Sequence, residues 1–406
     1  MKRITTLLFV FFIIFQAQTQ GTQHWKIDLD TLEHQLIQKD YLFTKISKIK
    51  FRNKIKLLKN KSLDSTLQFW ELSTLLHNFN IPSLQLQDTE FKCFPLEIKQ
   101  FSEGFYIVGI HPDYSTFLGY QLTKINGFTI NKMLQKTTSI KHLNSYSFLK
   151  YHHFLKKDSL RLSLISDKDK KVEISLSLTK FDADELIRII PKKEAFYLRK
   201  SSDWFWQYGI NFGQQVYFKY NVGLSNEFLQ QEKDSLKISA IRLAQNYKLP
   251  LQTIYDAPTF TDFTKKLFEK FKKRRYKKLF IDFRNNQTGN VKAFDDFIKK
   301  LKKTKRINKK NRLYLFIDKT ISSSVMETIL ALKKRVHITI IGESVHGIAC
   351  SSDNINYFYL PNSAFKIYFP RKYFETITIK PDVLVSTSFK NYKNGIDPIL
   401  QKALDL

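Results

Sequence analysis

Apolar residues recur at three- and four-residue intervals early in the chain, then at every second position, and then in short continuous runs. The first pattern predicts helices, because residues three and four apart share one helix face. It covers residues 21–90, most clearly Ile27–Ile37 and Tyr41–Leu58. Basic residues alternate with the apolar ones in the second of these segments, and we interpret them as one solvated helix face.

In the next ninety residues, Phe91–Lys180, the period changes to two, which is typical of strands with one buried face. One strand is predicted at Gly104–Ile110, and two more on either side of Asn126–Gly127, a dipeptide that favours a two-residue hairpin turn. Another pair, Leu160–Ile165 and Val172–Leu178, flanks a charged turn. This part of the chain is therefore expected to be a small β-rich domain.

Beyond residue 180, strands alternate with amphipathic helices. Strands are predicted at Gln215–Tyr220, Leu279–Phe283, Leu313–Asp318 and Ile338–Gly342, and helices at Thr261–Lys273, Phe294–Lys303 and Ser324–Lys334. Strands that are apolar throughout and joined by helices predict a parallel sheet with both faces covered. We therefore expect an α+β multidomain chain: an N-terminal helical region at residues 21–90, a β-rich domain at 91–180 and an α/β core at 181–406.

Functional loops of such a sheet lie at the carboxyl ends of its strands. The last three predicted strands each end in a polar loop: Arg284–Asn290, Lys319–Ser324 and Glu343–Ser352. These loops are where a site is expected.

The first twenty residues have the order of a secretory signal peptide. Two basic residues precede an unbroken apolar run, Leu7–Phe15, and polar residues follow at once. The run is shorter than the roughly 20 apolar residues that cross a bilayer. We interpret residues 1–20 as a cleaved leader, with a buried strand or an uncleaved anchor as the alternative. With cleavage after Ala17, the functional chain begins near Gln18 and is periplasmic or extracellular.

The charge of the chain is strongly positive. Its 406 residues carry 67 Lys and Arg against 37 Asp and Glu, a formal net charge of +30. That excess is typical of nucleic-acid or anionic-surface binders. No nucleic-acid motif accompanies it, and Lys, Asn, Ile and Phe are all abundant, as in proteins from AT-rich genomes. We therefore expect no nucleic-acid partner, and peripheral contact with anionic envelope surfaces stays an alternative.

Cysteine and histidine spacing indicates no metal site. The two cysteines, Cys93 and Cys350, fit neither a disulfide framework nor a zinc motif. They form either a disulfide, which export permits, or two small buried hydrophobic positions. The nine histidines show no metal-ligand spacing, so neither a metal nor another cofactor is expected.

Two of the polar loops contain groups suited to acyl-transfer chemistry. Lys319–Ser324 ends in three serines at a strand-to-helix junction, where the helix N-terminus would favour a nucleophilic hydroxyl. The alternative is that one serine only caps the helix, which serine does readily. Arg284–Asn290 contains a glycine and could aim backbone N–H groups at an oxyanion, or it could be an ordinary turn.

The order of these loop sequences resembles that of a known protein family. The chain reads IDFRNNQTGN at Ile281–Asn290, ISSSVMET at Ile321–Thr328 and IIGES at Ile340–Ser344, with KPD at Lys380–Asp382 and a polar ending at Asn391–Pro398. This series resembles the C-terminal processing, or tail-specific, serine peptidases, and the β-rich domain resembles their PDZ-like domain. The resemblance covers nearly the whole chain after the leader. It implies proteolysis of exposed peptide segments or C-terminal tails by serine acyl transfer.

Members of that family use a serine nucleophile, a neutral lysine as its base and a glycine loop that holds the oxyanion. The resemblance implies Ser323 as the nucleophile, with Ser322 as the alternative one residue away. It implies Thr288 and Gly289 at the oxyanion loop.

The expected lysine is missing. Its position is occupied by Ile348, and no lysine occurs between Lys334 and Lys366. Isoleucine cannot accept a proton, and loss of a general base typically lowers the rate by about 10²–10⁴. His346 could substitute, since a histidine pKa of about 6.5 suits a base. The alternative is that His346 is only a surface loop residue.

Two further motifs depart from the family pattern. Gln287 and Thr288 replace glycines of the oxyanion loop, and Asn78–Pro82 replaces the family's Gly-Asp-Gly-His stretch. Two hypotheses therefore stay open. The chain is an exported serine-type peptidase, or it is a catalytically inactive relative that binds peptides or serves as a scaffold in the cell envelope.

Overall fold

A computed structural model describes residues 23–44, 46–61, 65–77, 85–86, 93–137, 140–178, 183–212, 214–237, 239–241, 244, 250–272, 276–286, 291–350 and 354–406. Three parts of the sequence interpretation lie outside the described residues. They are the leader at residues 1–20, the segment Asn78–Pro82, and the loop Gln287–Asn290 with its predicted oxyanion residues Thr288 and Gly289.

Helices and strands alternate along the described chain. The helices are α1 (residues 23–37), α2 (Lys48–Lys59), α3 (Ser65–His77), α4 (Ile130–Leu134), α5 (Tyr146–Tyr151), α6 (Asn226–Leu236), α7 (Leu251–Tyr255), α8 (Phe260–Lys272), α9 (Val291–Lys303), α10 (Ser323–Arg335), α11 (Phe389–Asn394) and α12 (Pro398–Asp405). The strands are β1 (Gln85–Leu86), β2 (Leu96–Phe101), β3 (Gly104–Ile110), β4 (Gln121–Ile125), β5 (Phe128–Thr129), β6 (Ser159–Ile165), β7 (Lys171–Ser177), β8 (Ile187–Arg188), β9 (Phe205–Ile210), β10 (Gln215–Tyr220), β11 (Lys278–Asp282), β12 (Leu313–Ile317), β13 (Thr339–Gly342), β14 (Val345–Ile348), β15 (Ile355–Tyr359), β16 (Lys366–Pro370), β17 (Thr376–Ile379) and β18 (Val383–Leu384). The strands and helices predicted after residue 90 are confirmed, with ends that shift by a few residues.

The chain forms two compact units, each with its own hydrophobic core. Unit 1 runs to Ile190 and also contains Ile355–Tyr373. Unit 2 contains Pro191–Asn354 and Phe374–Leu406. The predicted fold class, an α+β multidomain chain, is confirmed. No helix in the part of the chain that the structure describes is long and apolar enough to cross a membrane.

In unit 1, the single helix predicted over Tyr41–Leu58 is wrong. A short 3-10 turn, Asp40–Phe43, comes first, and α2 begins only at Lys48. The break follows from Ser47, whose hydroxyl accepts a hydrogen bond from the amide of Lys50 at 3.2 Å and so caps a new helix. Phe51, Ile55 and Leu58 of α2 are buried, whereas its basic residues are exposed or half-buried and share the solvated side with Ile49 and Leu57.

Unit 1 contains the predicted β-rich region as an antiparallel sheet with strand order β2-β3-β4-β6-β7, in which β5 pairs with β4 and β8 with β3. The predicted hairpin turn at Asn126–Gly127 has φ angles of +49° and +83°. Two left-handed residues are what a type I′ turn requires. The Asn126 side chain also donates to the carbonyl of Phe154 and accepts from the amide of Arg161, both at 2.8 Å. A second small sheet has the order β1-β16-β15.

Unit 2 is built around a six-stranded sheet with the order β18-β13-β12-β11-β10-β9. In this sheet, the strands β10, β11, β12, β13 and β18 are parallel to one another. The edge strand β9 pairs antiparallel with β10. The carboxyl ends of β11, β12 and β13 therefore lie side by side, and the loops that follow them meet at one edge of the sheet.

Both faces of this sheet are covered, as continuous apolar strands predict. One face packs against α8, α9 and α10 through one hydrophobic cluster, which includes Phe218 and Ile281 of the sheet and Phe294 and Ile329 of the helices. The opposite face packs against α12 through a second cluster, which includes Phe280. Because odd and even strand residues point to opposite faces, this division is set by the sequence position of each side chain.

The predicted loop Glu343–Ser352 is partly wrong. Its residues Val345–Ile348 form β14, which pairs antiparallel with β17. A Cβ built on Gly347 would lie 3.3 Å from the sulfur of Met326, so one face of β14 lies directly on α10. The strand is fixed in place by that helix rather than forming an open loop.

Gly342 provides a test of the packing at the end of β13. Its φ of +136° is accessible mainly to glycine, and a Cβ there would overlap the carbonyl oxygen of Ile317. We expect Gly342→Ala to lower the free energy of unfolding by more than about 3 kcal/mol, because neither backbone can move aside. Gly347→Ala is the control, since a flexible Met326 can yield, and should cost less than about 1 kcal/mol. Equal losses in urea denaturation would contradict this account.

Candidate active site

The three serines of the second polar loop lie at the start of α10. Ser322 is the N-cap residue, yet its hydroxyl accepts no hydrogen bond from a helix amide. Its Oγ lies instead 3.0 Å from the Oγ of Ser324. Simple capping, the alternative interpretation for one of these serines, therefore does not describe Ser322.

Ser323 is the first residue of α10, and its side chain is half-buried. Its carbonyl oxygen accepts a hydrogen bond from the amide of Cys350 at 3.2 Å, which ties the segment after β14 to the start of the helix. The Ser323 hydroxyl has no hydrogen-bond partner among the described residues. Ser323 thus lies at a helix N-terminus, whose partial positive charge suits an anion.

The loop after β11 is held by buried charge. Asp282 and Arg284 are 0% and 2% exposed. The guanidinium Nε of Arg284 donates to both carboxylate oxygens of Asp282 at 3.0 and 3.1 Å. Its two terminal nitrogens donate to the two oxygens of Asp397, each at 2.8 Å. Such two-pronged contacts are among the strongest hydrogen bonds in proteins.

A buried lysine completes this cluster. Lys219, on β10, is 1% exposed, and its ammonium lies 3.7 Å from an oxygen of Asp282. It also donates to the backbone carbonyl of Arg284, and the hydroxyl of Tyr217 donates to Asp282. We call Lys219, Asp282, Arg284 and Asp397 the buried charge cluster. Its two cations and two carboxylates neutralise one another, which burial demands.

The pKa values in the cluster follow from burial and mutual attraction. Burial alone would raise the pKa of Asp282, but the charges of Arg284 and Lys219 outweigh it and hold that pKa below its usual value. Burial works to lower the pKa of Arg284, and Asp282 and Asp397 together hold it well above its usual value. The pKa of Lys219 is lowered, because burial outweighs its carboxylate neighbour.

The cluster also reaches the C-terminal helix. Asp397 is the N-cap of α12, and its Oδ1 accepts a hydrogen bond from the amide of Leu400 at 3.0 Å. The guanidinium carbon of Arg284 lies 4.1 Å from the centre of the Tyr197 ring. One arginine thus joins the end of β11, the start of α12 and the aromatic residue that packs over it.

The segment after β11 contacts the serines through its backbone. The carbonyl of Asn286 accepts a hydrogen bond from the amide of Ser322 at 3.3 Å, and the Asn286 side chain donates to the carbonyl of Tyr220 at 2.9 Å. Asn286 is fully buried. The backbone of residues 284–286 and the hydrogen bond from Ser322 to Asn286 therefore connect the buried charge cluster to the beginning of α10.

His346 is not joined to the serines. It lies exposed on β14, whereas its neighbour Gly347 faces α10. Successive strand residues point to opposite faces, so His346 points away from that helix. Its Nδ1 lies 2.9 Å from the Oγ1 of Thr378, on the neighbouring strand β17. Ile348, at the position expected for the lysine, is completely buried.

The sequence analysis placed the serines at the start of a helix, where the structure has them, but missed the buried charge cluster. The available signal was a single charged residue, Lys219, inside the otherwise apolar strand VYFKY. The partner carboxylate, Asp397, follows more than a hundred residues after Arg284, so pattern alone could not pair them. The predicted oxyanion residues, Thr288 and Gly289, lie in the part of the loop outside the described residues. No group of three or more potential ligands in the described part of the chain is arranged to hold a metal ion.

Solved structures provide a match at the level of the fold. The structure of mature CPAF complexed with lactacystin aligns over 95% of this chain and 98% of that chain, at 11% identity and a TM-score of 0.60. The crystal structure of mature CPAF aligns over 95% and 96%, at 12% identity and a TM-score of 0.58. The chain has the fold of mature CPAF.

Other comparisons add little to the CPAF match. The photosystem II D1 C-terminal processing protease aligns over 89% of this chain and 93% of that chain, at 11% identity, but its TM-score of 0.33 carries no weight here. No protein-family model and no curated protein matches the sequence. Identity of 11–12% to CPAF is too low to transfer residue roles, so the roles of the serines rest on their own geometry.

The importance of the two-pronged arginine can be tested without changing charge. Arg284→Lys keeps the cation but cannot bond two carboxylates at once. We expect it to lower the free energy of unfolding by about 2–4 kcal/mol, since it leaves a buried carboxylate unpaired. Arg335→Lys is the matched control, because Arg335 pairs with Asp295 at the surface, and should cost less than about 1 kcal/mol. Urea denaturation that showed equal losses would contradict this role for Arg284.

Proposed function

We propose that this chain is an exported protein of the C-terminal processing peptidase type that binds exposed peptide segments of other proteins without cleaving them. The proposal rests on one observation: among the described residues, neither Ser322 nor Ser323 hydrogen-bonds a histidine, lysine or carboxylate. Without a base the serine keeps its proton and attacks a carbonyl poorly. The CPAF fold and the order of the sequence motifs support the peptidase-like part of the proposal.

Peptide binding is supported by what the scaffold retains. The start of α10 presents backbone N–H groups and the positive end of a helix dipole, which suit a peptide carbonyl or a terminal carboxylate. The buried charge cluster holds Arg284 at the start of the neighbouring loop, and preorganised sites lose little entropy on binding. The antiparallel sheet of unit 1, for which we propose a PDZ-like role, has edge strands β2 and β7 that suit strand addition by an extended peptide.

The cellular setting is also part of the proposal. The leader at residues 1–20 supports export to the periplasm or the extracellular space. No ATP-driven unfolding partner is expected there, so a bound segment must already be exposed. The net charge of +30 supports additional contact with anionic envelope surfaces.

A second candidate function is hydrolysis by Ser323. The observation in its favour is the half-buried Ser323 hydroxyl at the first position of α10, which has no partner among the described residues and is free to attack. That CPAF has been solved with lactacystin supports small-ligand binding by this fold. Hydrolysis would require a base that the contacts described above do not supply.

A serine-directed probe separates the two functions. We expect a fluorophosphonate to label the wild-type protein no more than Ser323→Ala, because loss of a base typically lowers serine reactivity by about 10²–10⁴. Labelled decapeptides with free C-termini should bind both proteins equally in fluorescence anisotropy and stay intact by mass spectrometry.

Each alternative result has a definite meaning. Peptide cleavage that Ser323→Ala abolishes and Ser324→Ala preserves would establish the second candidate in place of the first. If no peptide bound and none were cleaved, both functions would be wrong.

A further inference from the structure

The edge of the unit 2 sheet opposite the serines is formed by the amino ends of the strands. In a parallel sheet each crossover helix ends at that edge. Helices α8, α9 and α10 accordingly end there at Lys272, Lys303 and Arg335, and β11 begins there at Lys278. Every one of these terminal residues is basic.

Hydrogen bonds hold three segments of this edge together. The guanidinium of Arg312 donates to the carbonyl of Lys277 at 3.2 Å, which joins the segment before β12 to the one before β11. The amide of His337, in the segment after α10, donates to the side chain of Asn308 at 2.8 Å. Asn308 lies in the segment before β12, so this bond joins those two segments. The cations of these segments therefore share one surface.

The charge on this surface is large, and the described carboxylates neutralise only part of it. Nine of the fourteen residues 299–312 are Lys or Arg, and none is acidic. Eight exposed lysines make up what we call the amino-edge face: Lys277, Lys302, Lys303, Lys305, Lys309, Lys310, Lys333 and Lys334. None of the eight forms an ion pair with any described residue. The nearby carboxylates Asp295 and Asp296 pair with Lys299 and Arg335 instead.

The helix dipole accounts for only part of this charge. Cations at a helix C-terminus are stabilised by the partial negative charge there. That effect acts within the last turn of each helix, whereas Lys305, Lys309 and Lys310 lie beyond the end of α9. Mutual repulsion among these lysines is unfavourable unless an anionic partner relieves it.

We infer that the amino-edge face binds the surface of an anionic membrane. Lysines are flexible point charges, which suit mobile phospholipid headgroups that need no fixed geometry. Nucleic acids are commonly bound by forked arginines or stacked aromatic rings. Among the described residues of this face, however, the exposed unpaired cations are all lysines, and no large aromatic side chain in the described part of residues 264–312 is exposed. The predicted leader at residues 1–20 also favours a membrane over nucleic acid, because an exported protein meets the envelope.

This orientation has a consequence for the serines. Ser322 and Ser323 follow β12 at its carboxyl end, whereas the amino-edge face precedes the same strand. A unit 2 that rests on lipid by its amino edge turns the serine edge toward the aqueous space. A peptide segment displayed by another envelope protein could then reach it.

The test uses the processed chain beginning at Gln18 and its triple variant Lys305→Glu/Lys309→Glu/Lys310→Glu. Binding is measured by co-sedimentation with vesicles of phosphatidylglycerol and phosphatidylcholine in equal parts, and with phosphatidylcholine alone. Each lysine near an anionic bilayer contributes about a fivefold factor in affinity, so the triple variant should lose about a hundredfold or more. The matched control is Lys50→Glu/Lys54→Glu/Lys56→Glu, which changes net charge equally on α2 and should lose much less.

The inference rests on the export and envelope contact of the proposed function and assigns that contact to one face, and its readout does not depend on peptide binding or cleavage. Binding to anionic vesicles that weakens steeply with salt and is lost only in the first variant supports it. Equal loss in both variants, or no vesicle binding at low salt, overturns it. Duplex DNA that displaces the protein from vesicles at equal phosphate concentration would overturn it in favour of a nucleic-acid surface. Circular dichroism of both variants checks that they are folded.

Discussion

The neutralisation of a buried guanidinium organises the carboxyl edge of unit 2. Arg284 has almost no contact with solvent, and an isolated charge in that position would be prohibitively costly. Two carboxylates from distant parts of the chain, Asp282 and Asp397, therefore have to meet it. That requirement fixes the end of β11, the start of α12 and, through Lys219, the end of β10.

The position of the serines depends on this arrangement indirectly, through the backbone that follows Arg284. The carbonyl of Asn286, two residues after Arg284, accepts a hydrogen bond from the amide of Ser322. The buried charge cluster therefore helps to position the beginning of α10 without contacting it directly. The same arrangement persists although Ile348 occupies the position expected for a catalytic lysine. The ammonium of Lys219 is engaged by Asp282 and the Arg284 carbonyl.

Much of the fold could be read from local sequence patterns. Continuous apolar strands, amphipathic helices and the Asn126–Gly127 turn each leave a signal within about ten residues, because burial and turn geometry act locally. The helix predicted over Tyr41–Leu58 failed because its apolar spacing concealed a cap at Ser47. The loop predicted after β13 failed because a polar His346 looks like loop sequence, although β17 pairs with it.

The candidate site could be predicted only in part. The position of the serines at the start of α10 could be predicted because a strand-to-helix junction is a local feature. The contacts that locate them were not, since Lys219, Arg284 and Asp397 lie far apart in the chain and meet only after folding. The direction of the His346 side chain depends likewise on which face of β14 packs against α10. The spacing of residues in the sequence does not determine that face.

Amide hydrogen exchange tests most directly whether the buried charge cluster locates the serines. Peptides spanning Ile321–Met326 would be compared between the wild-type protein and Arg284→Lys, with peptides from β13 as the reference within unit 2. The account predicts markedly faster exchange over Ile321–Met326 in the variant, because the Asn286 carbonyl no longer holds the Ser322 amide, with slow exchange retained in β13. Unchanged exchange over Ile321–Met326 in a variant whose cluster is disrupted would contradict it.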